Sequence, residues 1–317
     1  MSTTTTAAAL TWRASDATSA ELLGPHGQQL ARFEWGPRAN HPYVTDLRSL
    51  GHRGVLTTHA PHDHRWHHGL WFSWKFVDDV LFWEDHPGYG GNRGQLGRSA
   101  VTAHDVTGGA DGPAVRQELE WRSDAGDLLL TEVRHLTATT DTGVEGTWAL
   151  DWDQTWTAIA AVRLSTTPWP ETPWGGYAGL SYRPARAMAT GEVLMGPDGR
   201  SGVSDLHGQR LAWAAYSGAV DGAETDEPDA PAHGGVALLP HPGDHGAPHP
   251  VYAASAADGF GFLATAPLMH ADRRLDRGEE LRARARVLVL PGAARGGDLD
   301  TAHRAYAGRP ARSQPTA

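Results

Sequence analysis

Six histidines crowd into one short stretch of the chain, between His59 and His86. Aromatic residues are interleaved with them, and the stretch reads HAPHDHRWHHGLWFSWKFVDDVLFWEDH. Imidazole titrates near neutral pH and is also the commonest metal ligand in proteins. The density of imidazoles therefore predicts a functional site at which at least two of them meet a ligand.

Two chemistries fit this cluster. In general acid–base catalysis, His64 and His67 would give and take a proton, and Asp63 would orient one imidazole. In metal binding, His62 and His64 would share one strand face, with His67 or His68 completing the site around a divalent ion. The spacing matches no specific metal signature, since H-E-x-x-H is absent. The sequence assigns no cofactor, and the binding of a divalent metal ion is left open.

A second histidine cluster lies in the segment PHPGDHGAPHP, with His241, Asp244, His245 and His249. Proline and glycine exclude a helix here, so the segment is a loop. We expect it to fold back on the first cluster, where His241 or His245 would supply the opposing base.

Tryptophan is unusually frequent, with 13 Trp against 6 Phe. An indole ring packs on the C–H face of a sugar while its N–H binds a hydroxyl. The segment PWPETPWGGYAGLSYRPAR adds Arg183, which could clamp a carboxylate, a phosphate or vicinal hydroxyls. The predicted sugar platform consists of Trp71, Trp74, Trp83 and Tyr177.

Composition narrows the function further. The 317-residue chain has a formal net charge of -10 and no cysteine. Acidity argues against nucleic acid and anionic membranes as partners, and the lack of cysteine excludes disulfides and thiol chemistry. Signal peptide, membrane span, P-loop and G-x-S-x-G elbow are not found. We expect a cytoplasmic protein whose partner is a small carbohydrate, with a homodimer left open.

Strand signals dominate the elements that must position these residues. Residues 148–156 and 281–289 alternate with period two, and Arg282, Arg284 and Arg286 are expected to face outward. Residues 114–122 and 128–139 flank a turn and predict a hairpin. One short helix is predicted over residues 298–307, capped by Asp298 or Asp300.

These patterns predict an all-β fold with few short helices. We expect a single β-sandwich domain over residues 11–309. The ends, residues 1–10 and 310–317, are expected to be disordered.

Three strings carry a family resemblance: D-H-R-W-H-H-G-L-W-F-S-W-K-F, G-G-Y-A-G-L-S-Y-R and G-G-V-A-L-L-P-H-P. They resemble proteins of the PmoA-like group, which bears the label methane oxygenase, over most of the chain. The resemblance implies a role in sugar catabolism. Methane oxidation does not fit, because those subunits sit in membranes and this chain has no membrane segment.

More distantly, the order of features is similar to galactose mutarotases. That resemblance implies an antiparallel β-supersandwich in which a His acid and a Glu base open a sugar ring. The Glu expected after G-V-A-L-L is absent, and Pro240 and His241 stand there. The departure predicts a related fold with different chemistry.

The function predicted from the sequence is a carbohydrate-active enzyme that uses histidine acid–base chemistry on a sugar or keto-sugar derivative. Lyase, hydratase and epimerase reactions all suit paired histidines. Two alternatives stay open: a His-ligated metalloenzyme acting on a similar substrate, and a non-catalytic sugar-binding or sensing module.

Overall fold

The computed structural model describes residues 10–51, 54–86, 94–109, 112–222 and 232–309. The predicted disordered ends lie outside these residues, except for Leu10, which is buried. In chain order the strands are β1 (Thr11–Asp16), β2 (Ser19–Leu23), β3 (Gln29–Glu34), β4 (Tyr43–Thr45), β5 (Leu70–Ser73), β6 (Phe76–Val77), β7 (Val80–Leu81), β8 (Gly97–Gly109), β9 (Gly112–Ser123), β10 (Leu128–Thr139), β11 (Trp148–Ala158), β12 (Val162–Ser165), β13 (Gly179–Tyr182), β14 (Val193–Met195), β15 (Ala214–Ala219), β16 (His233–Pro240), β17 (Val251–Ser255), β18 (Gly261–Thr265), β19 (Arg273–Leu275) and β20 (Glu280–Leu290).

The helices are short, as expected. They are α1 (Val203–Leu206), α2 (Gly296–Ala307) and two single 3-10 turns at Arg186–Ala189 and Pro197–Gly199. The structure confirms the predicted C-terminal helix but not its cap. Arg295 occupies the N-cap position without a side-chain hydrogen bond. Asp300 instead accepts a hydrogen bond from the Trp213 indole at 2.8 Å.

Two eight-stranded antiparallel sheets form the body of the protein. The first sheet has the order β1-β2-β3-β4-β5-β13-β18-β17, and the second β14-β15-β16-β20-β11-β10-β9-β8. A four-stranded sheet, β19-β12-β6-β7, is attached to them. The predicted antiparallel β-sandwich is therefore confirmed, and so is the hairpin, as β9 and β10. No helix in the described parts of the chain is long and apolar enough to cross a membrane.

Period-two alternation builds the core between the sheets. Trp148, Leu150, Trp152 and Trp156 of β11 point into this core, together with Val287 and Val289 of β20. The burial of large apolar side chains from both sheets is the main force that holds the sandwich together.

The outer face of the second sheet is covered by α2. Arg286 points to this outer face, as predicted, but α2 shields it from solvent. Its side chain is fully buried, its guanidinium lies 4.8 Å from the centre of the Tyr306 ring, and it pairs with Asp151 at 2.6 Å. Arg282 pairs with Asp153 in the same way. The two aspartates therefore hold arginines of β20.

Candidate functional site

The outer face of the first sheet forms the floor of the candidate site. Along β5, Leu70 and Phe72 enter the core between the sheets, while Trp71 points to the opposite face. The strand register places one row of side chains side by side across five strands: Tyr43, Trp71, Ser181, Ala264 and Tyr252. This row joins residues that are more than two hundred positions apart in the sequence.

The first histidine cluster lies in the loop that leads into β5. His59 and His68 form an isolated bridge, and two tight turns between Pro61 and His67 fold the loop over the floor. Gly69 ends the loop with φ of 84°, and a Cβ there would lie 2.7 Å from the Val44 carbonyl oxygen. Only glycine fits this position without strain. We call this loop, the floor row and the side chains around them the His–aromatic face.

Asp63 and His64 form an oriented pair at the edge of this face. His64 Nδ1 lies 3.2 Å from Asp63 Oδ2. The same carboxylate accepts hydrogen bonds from Arg183 at 2.7 Å and Arg186 at 2.8 Å. Burial by itself would raise the pKa of Asp63, but the Arg183 charge and the hydrogen bonds from His64 and Arg183 lower it to about 2. An ionised carboxylate can only accept, so His64 carries its hydrogen on Nδ1 and leaves Nε2 as an acceptor.

His64 is neutral at physiological pH. Burial lowers its pKa below 6.5, and the nearby Arg183 adds to that effect, while the hydrogen bond to Asp63 opposes it. About a third of the side chain (36 %) remains exposed. A neutral, oriented and accessible imidazole has the properties of a general base.

His67 lies beside His64, with ring centres 4.7 Å apart. It is buried between Trp71 at 5.0 Å and Phe262 at 5.1 Å. Burial, with a smaller contribution from the neighbouring His64, lowers the pKa of His67 well below 6.5. Its Nδ1 is buried and has no hydrogen-bond partner within the described residues. The structure therefore brings together His64, His67 and Asp63, as predicted.

A buried charge cluster, not predicted from the sequence, lies on the same face. Lys75 Nζ donates hydrogen bonds to Glu84 Oε1 and to the Tyr177 hydroxyl, which in turn donates to Glu84 at 2.8 Å. Burial lowers the pKa of Lys75, and burial followed by the Glu84 charge raises that of Tyr177 well above 10. Glu84 Oε2 is buried without a partner in the described part of the chain. The sequence does contain a signal for this cluster, a single lysine inside the apolar run FSWKFV. Charged side chains are rarely buried unless they are paired, so a lysine in a buried segment predicts a buried partner.

The predicted sugar platform is only partly assembled. Trp71 and Trp83 are buried beneath the face, with ring centres 5.5 Å apart, and Tyr177 is half-buried beside Trp83. Trp74 points the other way, into the core against Phe72. Besides Tyr177, four partly exposed rings were not assigned to the platform from the sequence: Trp66, Trp169, His207 and Phe260.

Arg183 has a different role from the predicted clamp. Its side chain is fully buried under the Phe260 ring, 4.0 Å from the ring centre, and one of its nitrogens holds Asp63. Arg186, about one third exposed, is the more accessible of the two guanidinium groups on that carboxylate. The two guanidinium groups share this carboxylate, and the charge of Asp258 also acts on Arg183.

The second histidine cluster does not meet the first, so the predicted opposing base is not in place. His241 directly follows β16 of the second sheet, and there its Nδ1 accepts a hydrogen bond from the Gly243 N–H and its ring contacts Tyr306. His245 and His249 line a cavity between the sheets. The loop remains with its own sheet because Asp244 binds both the backbone N–H and the guanidinium of Arg284.

The described residues contain no group of three or more His, Asp or Glu side chains placed to hold a metal ion. This finding includes the predicted set of His62, His64 and His67. His62 is exposed, whereas His67 is buried among aromatic rings.

Fold and site together define an antiparallel β-sandwich protein with histidines and aromatic rings assembled on the outer face of one sheet. The sequence profile of DUF6807, a family of unknown function, matches residues 23–304, and the chain belongs to that family. No curated protein is significantly similar to the chain. The resemblance to the PmoA-like group stays a prediction.

Solved structures resemble the fold at low sequence identity. A putative mutarotase, YeaD from Salmonella typhimurium, is 12% identical, with 89% of this chain and 94% of that one covered and a TM-score of 0.33. HI1317 is 10% identical, with 89% and 98% covered and a TM-score of 0.31. Scores this low carry no information about activity.

Proposed function

We propose that this protein is a carbohydrate-active enzyme in which His64 acts as a general base on a sugar or keto-sugar derivative. The observation that carries the proposal is the Asp63–His64 pair, held by Arg183 and Arg186 at the edge of an aromatic face. The carboxylate fixes the tautomer and orientation of the ring, and Nε2 is left to accept a proton.

The first step would be removal of a C–H proton next to a carbonyl group. The proton moves to His64 Nε2, and the electron pair moves to the carbonyl oxygen as an enolate. Such an oxyanion needs positive charge or hydrogen-bond donors close to it. The guanidinium groups of Arg183 and Arg186, which meet at Asp63 beside His64, support that role. Lyase, hydratase and epimerase reactions share this step.

Carbohydrate as the substrate class is supported by the partly exposed rings around the face. Trp66 and Phe260 both contact His64, with ring centres at 5.2 and 5.1 Å. Aromatic faces stack on the C–H surfaces of sugars while polar groups bind the hydroxyls. Glu84 Oε2 and His67 Nδ1, buried and without partners among the described residues, would be satisfied by such hydroxyls.

Proton abstraction can be measured without knowledge of the final product. Purified protein is incubated with a panel of aldoses, keto-sugars and sugar acids in D2O, and deuterium incorporation is followed by NMR and mass spectrometry. We expect exchange at the carbon next to the carbonyl for at least one compound. The variant His64→Gln should lose about 100-fold or more of that exchange.

His62→Gln is the matched control, since His62 lies two positions away and is exposed. It should retain full exchange. If His64→Gln remains folded and exchanges as fast as the wild type, His64 is not the base. Ligand binding without exchange for every compound would instead indicate a sugar-binding module. Equal losses in the two variants, restored by an added divalent ion, would indicate a metalloenzyme.

A further inference from the structure

A cavity of about 230 Å3 lies between the two large sheets, on the side of the first sheet away from the His–aromatic face. Phe72 and Trp74 from the first sheet and Trp152 from the second form its apolar part. Arg210 and His245 are exposed lining residues at its mouth. The space is far larger than the roughly 30 Å3 of one water molecule, so it accommodates a small organic compound.

The unsatisfied groups of this cavity are donors. Trp74 Nε1, Trp152 Nε1 and Arg273 Nε belong to lining residues, are buried, and have no hydrogen-bond partner among the residues described. Indole and guanidinium N–H groups donate and cannot accept. A buried donor without a partner costs free energy, which a ligand with acceptor atoms would recover.

The charges at the cavity also favour an acceptor-rich ligand. Arg282 and Arg284 bind the carboxylates of Asp153 and Asp244. Arg210 donates instead to two carbonyl oxygens, those of Gly246 and Pro248, which leave its charge uncompensated.

Two further titratable groups line the cavity. Burial, followed by the charges of Arg210 and His245, lowers the pKa of His249 to about 4, so its imidazole is neutral at pH 7. The acid among the lining residues, Asp272, is paired with Arg163 at 3.5 Å.

We propose that this cavity is a second ligand site, which binds a small carboxylate with an apolar body. The apolar part of the ligand lies against Trp74 and Trp152, and the carboxylate accepts hydrogen bonds from the indole N–H groups and from Arg210. The site is independent of His64, because it lies on the opposite face of the first sheet.

Indole N–H resonances provide the test, since the chain has 13 Trp. In 15N-labelled full-length protein, the signals of Trp74 and Trp152 are assigned from the variants Trp74→Phe and Trp152→Phe. Benzoate and hexanoate are titrated as probes, with benzamide as the neutral counterpart of benzoate. We expect both carboxylates to shift these two signals, and benzoate to bind about tenfold more tightly than benzamide.

Arg210→Gln should weaken benzoate binding by about tenfold and leave the fold intact, because Arg210 is exposed. Arg200→Gln, at another exposed arginine, is the control and should bind normally, as should His64→Gln. The proposal is overturned if neither carboxylate shifts the two indole signals, if benzamide binds as well as benzoate, or if Arg210→Gln has no effect.

Discussion

The outer faces of the two large sheets differ in how many of their buried polar groups are paired. On the second sheet, charged side chains are paired across strands: Asp151 holds Arg286, and α2 seals the face. On the first sheet, loops cover the face, and His67 Nδ1 and Glu84 Oε2 are buried without a partner in the described residues. Since a buried unpaired polar atom costs free energy, such atoms indicate where a ligand would complete the structure. The paired face therefore contributes to stability, whereas the unpaired atoms of the other face support the binding role proposed for it.

The largest effect on stability is expected on the paired face. Asp151→Ala leaves the buried Arg286 without its carboxylate and should lower the free energy of unfolding by about 3 kcal/mol. Urea denaturation measures the loss. The double variant Asp151→Leu with Arg286→Met should recover most of it, because an apolar pair carries no desolvation cost. A single variant as stable as the wild type would mean that this pairing does not stabilise the face.

On the His–aromatic face, stability should depend on pH through buried imidazoles. Burial, with a smaller contribution from Arg134, lowers the pKa of His41 to about 3 from an ordinary 6.5. The unfolded chain therefore binds the proton more tightly, and stability falls as pH drops from about 6.5 toward about 3. Between pH 6.5 and 5, His41 should account for about 2 kcal/mol.

His41→Phe tests that assignment, because phenylalanine keeps a ring near Trp71 and removes the titration. Urea unfolding at pH 7.5 and pH 5 should show a smaller loss of stability in the variant than in the wild type. Identical losses would mean that the pH dependence of stability arises from His67 and His68, because burial also lowers their pKa values.

Substitution of the proposed base should have little effect on folding. His64 is about one third exposed, so His64→Gln should change the free energy of unfolding by less than about 1 kcal/mol. The same variant should lose proton exchange, which separates chemistry from stability. A thermal melt of the variant, recorded together with the exchange assay, measures the change in stability. A large destabilisation would mean that His64 has a structural role.

The smallest effect is expected at an exposed ion pair on the β1–β2 edge of the first sheet, away from the His–aromatic face. Arg13 pairs with Glu21 at 2.8 Å, and its side chain is 63 % exposed. Arg13→Ala should change the free energy of unfolding by less than about 0.5 kcal/mol. This value sets the baseline for the urea measurements, and a loss comparable to that of Asp151→Ala would remove the contrast between buried and exposed pairs.

The fold was predictable from the sequence because strand alternation is a local signal. The residues of β11 and β20 that were expected to face inward do point into the core. The burial of Arg286 was not predictable, because the position of α2 over that face depends on tertiary packing and has no local signature in the sequence. The cap of α2 was wrong by a few residues, as helix ends often are.

The site was predictable only where its residues are close in sequence. Asp63, His64 and His67 lie in one loop, and their proximity follows from their spacing. Trp71 and Trp74 are three positions apart, an odd number, so alternation alone would have placed them on opposite faces. His241 was assigned to the wrong site because its strand belongs to the other sheet, and sheet membership depends on long-range pairing.

The floor row has a consequence for how this protein folds. Its side chains come from β4, β5, β13, β18 and β17, and the last two of these strands in sequence, β17 and β18, can join only after most of the chain has been synthesised. Non-local pairings of this kind form slowly, because the entropy of loop closure is lost before the stabilising contacts form. The His–aromatic face is therefore complete only when β17 and β18 have joined the sheet. Ligand binding there would report that the first sheet is complete, and would make a natural reporter for refolding of the whole chain.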